Sequence, residues 1–540
     1  MPNLPLRLAL LGCAAAVAAP FPARADTLAE AVAYAYETDP GLLAQRAALR
    51  GVDETYVQAR ALLGLQANAA VTGTSNTTEL QENAGNIIVP NLQIRDRDAE
   101  APTFTFALSQ TLYSGGRANA RLTAAEAQIR SGRENLRRFE IDLLQRVVGA
   151  YTNVRRDDEL LRISADAVKV LEKQLSDTEA KFAVRQVTAT DFAQSRARLA
   201  SARTQLTFAQ GQAAISRNQY LGVVGKYPAN LAPEPALDLL PKDIGEAFDV
   251  AENYNPQLLQ AGFTEQISRA RIAEAKGSRR PTVQGRFDAR RGPQFPYAEK
   301  PETESLTTSI TITQPLFTSG QTSSIIRQTV EENNRDRMLI ENTRRQVIQA
   351  VGEAWEGLTA ARAALVSMEE EMKADEVAFY GVREEERFAL RTTLDILNAE
   401  AELRNAQQTL VRGRANEYQR RVQLLAVMGA LEPRMLAIGV GTYDPSANFK
   451  RVKDKGQLPY EPLLRAADRI AGAQIPDPVP ATIEDARPEQ AAAMPPTPPP
   501  AAEATSIVPA SELIARRKRE IQAAPAKPAQ PPTPPAVTSP

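Results

Sequence analysis

The chain of 540 residues carries the same sequence unit twice. Residues 178–196 read TEAKFAVRQVTATDFAQSR, a weaker copy of REEERFALRTTLDILNAE at 383–400. Thr188 and Asp191 match Thr392 and Asp395 at one constant offset, 392 − 188 = 204 residues. A duplication on this scale indicates a single architecture built from two related halves. We predict a first repeat at 26–232, a linker at 233–242 and a second repeat at 243–433.

The N-terminus has the pattern of a secretory signal peptide. Arg7 precedes an apolar run from Leu8 to Ala19, and Ala23-Arg24-Ala25 has the form of a cleavage site. We therefore predict a signal peptide at 1–25; a lipoprotein cleavage box ending at Cys13 is the alternative. No later segment approaches the roughly 18 apolar residues that a membrane helix needs. Any membrane-spanning element must then consist of strands.

Composition argues against catalysis and against a nucleic-acid partner. Lys and Arg number 64 against 65 Asp and Glu, histidine is absent, and Cys13 is the only cysteine. The mature chain thus lacks the commonest general base and metal ligand, and it lacks thiol chemistry. We predict no enzymatic activity, no metal and no cofactor; a hydrolase that uses only carboxylates is the remaining enzymatic alternative.

Each half begins with a predicted helix, at 27–63 and 243–277, and continues as two strands. Apolar and polar residues alternate at Leu65–Gly73 and Thr103–Leu112, and again at 282–290 and 306–313, with 75–102 predicted as an exposed loop. One face is apolar and the other carries Arg286, Asp288 and Arg290, as in a barrel with lipid outside and water inside. A half-buried hairpin on a soluble core is the alternative. Single-chain barrels need about eight strands, so a four-strand chain must oligomerise to form one.

Heptad spacing predicts a long coiled-coil helix after each strand pair, at 117–182 and 321–386. Apolar residues recur every seven positions from Val147 to Phe182 and from Val351 to Met372. The second position of each heptad, three residues after the first, is small or polar, as at Ala150, Asp157 and Ser164. This pattern predicts a narrow apolar seam whose two sides face water. About 66 residues span roughly 100 Å. Shorter helices at 191–225 and 395–430 return along the long ones.

The C-terminal part has two predicted sections. Residues 434–473 indicate an ordered extension along the body. The tail at 474–540 is rich in Pro and Ala and is predicted to be disordered or polyproline-like, apart from a short basic helix around Arg516–Arg519.

Both long helices turn into short ones through Thr-x-x-Asp. Such a sequence forms a capping box, in which Thr and Asp each accept a backbone N–H at the helix start. In an oligomer, identical carboxylates at the narrow end of a tube would instead form a ring that attracts cations. The sequence leaves both interpretations open.

Several motifs resemble those of the TolC family of outer-membrane efflux proteins, over roughly residues 26–450. They are TLAEAVAYAYETDPGLLAQRAAL near the N-terminus, Leu112–Gly116 and Leu316–Gly320 at the strand-to-helix junctions, and RTTLDILNAE at 391–400. The resemblance implies a homotrimer in which each chain gives four strands to a twelve-stranded outer-membrane β-barrel. The helices of the three chains would continue it as an α-helical coiled-coil barrel across the periplasm.

The resemblance also implies roles for residues near the two turns. Asp395 becomes a pore-lining carboxylate at the periplasmic entrance, and Asn398 falls where some members have a second aspartate. Asp191 and Arg391 match a polar network that holds the entrance closed. The tyrosine of that network falls on Glu386, whose pairing with Arg391 is a possible substitute. Arg185 and Ala389 replace the customary turn glycines.

The function implied is a passive exit duct in the outer membrane. It would dock onto a periplasmic adaptor and receive cargo from an inner-membrane ABC or proton-driven transporter, with a weak preference for type I protein secretion over drug efflux. A periplasmic coiled-coil adaptor or structural protein is the alternative.

Overall fold

The computed structural model describes one compact unit ending at Asp477, with residues 26–78, 97–237, 240–295, 298–388, 390–437, 441 and 443–477. The predicted signal peptide at 1–25, the middle of the predicted 75–102 loop, the turn residue Ala389 and the tail from 478 lie outside the described residues.

Each repeat opens with two consecutive helices where the sequence predicted one. They are α1 (Leu28–Thr38) and α2 (Pro40–Arg60), matched in the second repeat by α5 (Ile244–Tyr254) and α6 (Pro256–Gly277). The single-helix predictions at 27–63 and 243–277 were wrong because proline cannot continue a helix. Asp39 Oδ1 accepts the N–H of Leu42 at 2.6 Å, and Asn255 caps α6 in the same way.

The strands form one antiparallel sheet in the order β1-β2-β3-β4. They are β1 (Leu65–Thr78), β2 (Arg97–Tyr113), β3 (Thr282–Phe295) and β4 (Ala298–Thr313), and β1 follows a short 3₁₀ turn at Ala61–Leu63. All four are longer than predicted, so both ends of the predicted 75–102 loop are strand. The outer edges of β1 and β4 have no partner strand among the described residues.

The register of the sheet places its side chains on two chemically different faces. One row across the sheet is Ala69, Phe106, Ala289 and Leu306, and a row on the other face is Gln66, Ser109, Arg286 and Ser309. Apolar residues of the first face are largely exposed; Leu306 is 77% exposed and Ile310 70%. The predicted apolar and polar faces are therefore confirmed.

Two helices of 67 residues, α3 (Arg117–Ala183) and α7 (Gln321–Arg387), dominate the body, and each spans roughly 100 Å. The return helices are α4 (Ala189–Val224), packed on α3, and α8 (Thr393–Val427), packed on α7. Gly225 ends α4 with a φ of 89° and lies against Tyr34 of α1, so the C-terminal end of α4 contacts α1. Within the part of the chain described, no helix is both long and apolar enough to cross a membrane.

Heptad positions in the middle of the long helices pack as predicted, whereas Phe182 near the end of α3 is 41% exposed, and the companion positions differ from the prediction. Val147, Val154 and Val351 are buried. Asp157, predicted to face water, is 2% exposed and is paired with its neighbour Arg156 at 2.8 Å. The prediction that this position faces water was wrong because α4 covers it, and Gln212 of that helix also contacts the carboxylate.

The chain then runs back toward the sheet through three short helices. They are α9 (Pro433–Leu436), α10 (Ala447–Val452) and α11 (Glu461–Ala471). Asn448 donates to Asp53 of α2 at 2.8 Å, and Arg60 donates to the carbonyl of Lys453 at 2.8 Å. Asp468 of α11 reaches the junction between β2 and α3. This segment therefore lies along α2 and ends beneath the sheet.

Candidate functional site

The first turn, between α3 and α4, lies at the end of the body farthest along the long helices from the sheet. The N–H of Gln186 donates to the carbonyl of Lys181 at 2.9 Å, which closes the end of α3. Arg185 has a φ of 60°, the left-handed conformation that the customary glycine would adopt without strain. Thr188 and Asp191 then form a capping box, with both N–H to oxygen distances between 3.0 and 3.2 Å.

The hydrogen bonds of the first turn recur between α7 and α8. The N–H of Leu390 donates to the carbonyl of Glu385 at 3.0 Å. Thr392 Oγ1 accepts the N–H of Asp395 at 3.2 Å, and Asp395 Oδ2 accepts the N–H of Thr392 at 3.0 Å. The capping interpretation of Thr-x-x-Asp is therefore confirmed in both repeats.

Capping also keeps both aspartates charged. The backbone N–H and hydroxyl of Thr392 donate to Asp395 and hold the pKa of its carboxyl below the usual value. The hydroxyl and N–H of Thr188 lower the pKa of Asp191 likewise. Both carboxylates are accessible to water, so each turn presents a permanent negative charge at the tip of the body.

Asn398, one helical turn beyond Asp395, takes part in a contact between repeats. Its Oδ1 accepts a hydrogen bond from Arg198 Nη2 of α4 at 3.1 Å. Two residues further on, Glu400 is buried, and desolvation raises the pKa of its carboxyl, against the nearby charges of Arg404 and Arg198. The carboxylate-rich start of α8 is therefore balanced by arginines from both repeats.

The pairing of Glu386 with Arg391 suggested by the sequence does not form within the chain, and such a contact between neighbouring chains stays a prediction. Arg391 Nε donates instead to Glu385 Oε2 at 2.7 Å, a contact within its own turn. Glu386 Oε1 accepts from Lys181 Nζ of α3 at 2.5 Å. Lys181 thus connects the two helical hairpins of one chain, whereas the contact of Arg391 within the chain is confined to its own turn.

Sequence reasoning missed Lys181 and Glu385, although a signal for them was present. The two residues occupy equivalent positions of the repeat at the offset of 204 residues, and they carry opposite charges. Equivalent positions lie at the same height along the body, so a charge reversal between repeats favours an ion pair across the hairpins. The structure was needed only to show that the partner of Lys181 is Glu386, one residue after the equivalent position Glu385.

The tip also exposes apolar side chains beside these charges. Val184, Phe388 and Leu390 are 65%, 75% and 73% exposed. Among the described residues no group of three or more acidic, Cys or His side chains is arranged to hold a metal ion. Each carboxylate described here takes part in a helix cap or in an ion pair.

Comparison with known proteins decides the family. The family model for "outer membrane efflux protein" matches residues 32–226 and 248–430, one segment in each repeat. The chain belongs to the outer membrane efflux protein family. It is 28% identical over 433 residues to the outer membrane efflux protein BepC of Brucella suis, covering 80% of this chain and 92% of BepC. It is 23% identical over 364 residues to the outer membrane protein TolC of Escherichia coli, covering 62% of this chain and 70% of TolC.

The fold is also similar to that of a solved channel structure. The Campylobacter jejuni CmeC outer membrane channel gives a TM-score of 0.64 at 13% identity, covering 85% of this chain and 98% of CmeC. The predicted resemblance, fold class and location are confirmed: this is an outer-membrane efflux channel protein whose helices extend into the periplasm. The periplasmic adaptor considered as an alternative is a different class of protein, and members of this family are channels rather than enzymes.

Proposed function

We propose that the protein is a trimeric exit duct that receives cargo at its helical tips and releases it through the outer membrane. The observation that supports this most is the sheet. Its four strands have an apolar face, and among the described residues no further strand pairs with the outer edges of β1 and β4. Three copies joined edge to edge, β4 of one against β1 of the next, make twelve strands, which is enough to close a barrel.

The helices extend this duct across the periplasm. α3 and α7 begin directly after β2 and β4, so each strand pair leads into a helix of roughly 100 Å. With three chains, six long helices and their return helices would surround a central space. The duct itself supplies no energy in this proposal; an inner-membrane ABC or proton-driven transporter would do so.

The tip is proposed as the entrance and as the contact with a periplasmic adaptor. A ring of three copies of Asp395 would concentrate cations at the narrow end, because three like charges in a confined opening raise the local negative potential. Val184, Phe388 and Leu390 offer an apolar surface for an adaptor. Asp191 and Arg391 would add contacts to the neighbouring chain, while the Lys181–Glu386 pair holds the two hairpins of one chain.

The assembly is tested by extraction and native mass measurement. We expect the folded protein to leave membranes only with detergent and to run as a trimer that heating converts to a monomer. Cysteine pairs placed across the predicted β4-to-β1 contact, such as Ile310→Cys with Val71→Cys, should link chains into trimers. Release by salt alone, as a monomer, would refute the duct.

Partners are tested from the tips. A photo-crosslinker placed at Phe388 should capture a periplasmic adaptor in intact cells, and the same group at Phe208, exposed but far from the tip, should not. Equal capture from both sites would contradict an adaptor contact at the tip. The transporter that co-purifies with the Phe388 adduct would identify the cargo class and would distinguish protein secretion from drug efflux.

A further inference from the structure

Helix α11 buries its polar face and exposes its apolar one. Glu461 and Asp468 are 3% and 0% exposed. On the opposite side Leu463 and Ile470 are 74% and 81% exposed, and Ala466 and Ala467 between them are also exposed. We call these four residues the outer stripe. Their spacing of three and four places them on one face, which a surface helix normally turns toward a core.

The buried contacts of α11 hold the outer stripe in this orientation. The Asp468 carboxylate accepts hydrogen bonds from the N–H of Ser114 at 2.8 Å, the N–H of Gly116 at 3.1 Å and Asn119 Nδ2 at 3.1 Å. Glu461 lies 3.9 Å from Arg60, and both side chains are 4% exposed. Rotating the helix to hide its apolar residues would leave buried charges without partners, which is strongly unfavourable.

α11 lies on the apolar side of the sheet, at the end that joins the helical body. Tyr113 donates to the carbonyl of Ala471 at 2.7 Å, and Tyr460 donates to Gln110 at 3.3 Å. Gln110 is in register with Leu65, on the face that also carries Leu108 and Phe106. Since the sheet is in the outer membrane and the helices are in the periplasm, this end is the periplasmic boundary of the bilayer.

Residues that favour a membrane interface flank the outer stripe. Tyr460, just before the helix, is 40% exposed, and Arg469 in its last turn is exposed. Arg280 donates to the carbonyl of Ala471 at the C-terminal end of the helix. Tyrosine and arginine beside an apolar stripe are typical of helices that lie in the headgroup region, where guanidinium groups meet phosphates.

We propose that α11 lies in the periplasmic leaflet of the outer membrane, with the outer stripe inserted below the phospholipid headgroups. The occupant of the stripe is lipid rather than protein, because the stripe continues the apolar face of the sheet at its lower edge. Each chain would thus add an interfacial helix to its strands and fix the depth of the barrel. This inference rests on the outer-membrane location and is independent of the proposed tip.

The test uses the full chain in vesicles of phosphatidylethanolamine and phosphatidylglycerol. Cys13 lies in the predicted signal peptide, so a cysteine introduced by Ala467→Cys would be the single thiol of the mature chain, and the unchanged protein is the labelling blank. An environment-sensitive fluorophore on that cysteine should be quenched by brominated phospholipid and protected from iodide. Ile310→Cys in β4 is the lipid-facing reference, and Val377→Cys, 73% exposed on α7, is the aqueous reference.

We expect bromolipid quenching at Ala467 of about half that at Ile310 or more, since an interfacial helix lies roughly 5–10 Å deep. Adding Leu463→Gln and Ile470→Gln should reduce bromolipid quenching at Ala467 at least about twofold, because the helix then has two fewer large apolar side chains to insert into the lipid. The matched changes Val366→Gln and Val377→Gln should leave it unchanged.

Two results would overturn the proposal. Quenching at Ala467 by iodide and not by bromolipid would show that α11 lies in water. Protection from both quenchers, with crosslinks from Ala467 to another copy, would show that a neighbouring chain covers the stripe. If Ile310 also escaped bromolipid, the sheet itself would lie outside the bilayer, a failure distinct from that of α11.

Discussion

At the scale of single residues, two glycines in equivalent positions test the attachment of α11. Gly116 and Gly320 each precede a long helix with positive φ, 90° and 82°. A Cβ on Gly116 would lie 2.8 Å from the Cα of Gly472, at the end of α11, whereas one on Gly320 would meet no described atom within 4 Å. The two sites share the same backbone strain and differ in their neighbours.

We therefore predict unequal effects of Gly116→Ala and Gly320→Ala. The backbone strain costs about 1–2 kcal/mol at each site, and only Gly116→Ala adds a clash that displaces α11. The midpoint of heat denaturation of detergent-solubilised protein should fall further for Gly116→Ala, and protease should cut near Gly472 sooner. Equal shifts for the two variants would contradict the attachment.

The roles of single residues were harder to predict from the sequence than the secondary-structure elements or the fold. The capping function of Thr188 and Thr392 depends on neighbours within three residues, so it could be predicted and was confirmed. The partner of Glu386 depends on how two hairpins meet, and the sequence pointed to Arg391 when the structure has Lys181. Whether Asp395 and Asn398 line a pore remains a prediction.

At the scale of elements, the tip of each chain is held by the ion pair that joins α3 to α7. Lys181 and Glu386 are 39% and 14% exposed, so the pair is only partly shielded from water. At such a site an ion pair stabilises the contact between the two hairpins by about 0.5 kcal/mol. Loss of all three pairs in a trimer would then shift the equilibrium between closed and open tips roughly tenfold toward the open tip.

Lys181→Gln should therefore raise the open fraction of single channels in planar bilayers. Arg391→Ser separates the two kinds of contact, because among the described residues of one chain Arg391 pairs only with Glu385 of its own turn, and its other proposed contacts are to the neighbouring chain. A larger effect of Arg391→Ser than of Lys181→Gln would mean that contacts between chains, and not the hairpin pair, keep the tip closed.

Element types followed from the sequence where the periodic signal was long. Heptads from Val147 to Phe182 and from Val351 to Met372 indicated α3 and α7, whose C-terminal ends lie within one residue of the predicted ends at 182 and 386. The breaks at Pro40 and Pro256 were missed because the apolar pattern continues through them. The orientation of α11 was beyond sequence reasoning, since its polar face is buried by donors some 350 residues earlier in the chain, at Ser114 and Gly116.

At the scale of the whole molecule, the sheet and the tip lie at opposite ends of helices of roughly 100 Å. The apolar face of the sheet requires lipid, and the edges of β1 and β4, which pair with no other strand in the described part of the chain, require further strands. The charged turns at the other end require water. Each of the two repeats supplies two strands at one end of this arrangement and one long helix that leads to the other.

The charge at the tip has a defined pH range. Because hydrogen bonds from Thr392 lower the pKa of Asp395, its carboxylate stays ionised as pH falls toward the usual aspartate value of about 3.9. Any effect of the proposed ring on cations should therefore persist at about pH 5, well above that value.

An entrance ring of Asp395 can be detected by block of single channels with a multivalent cation added on the tip side. We expect strong block of the unchanged protein, loss of block in Asp395→Asn at little change in conductance, and retained block in Asp288→Asn, which alters a carboxylate of the sheet. Block by the same cation at the same concentration in Asp395→Asn would contradict an entrance ring at the tip.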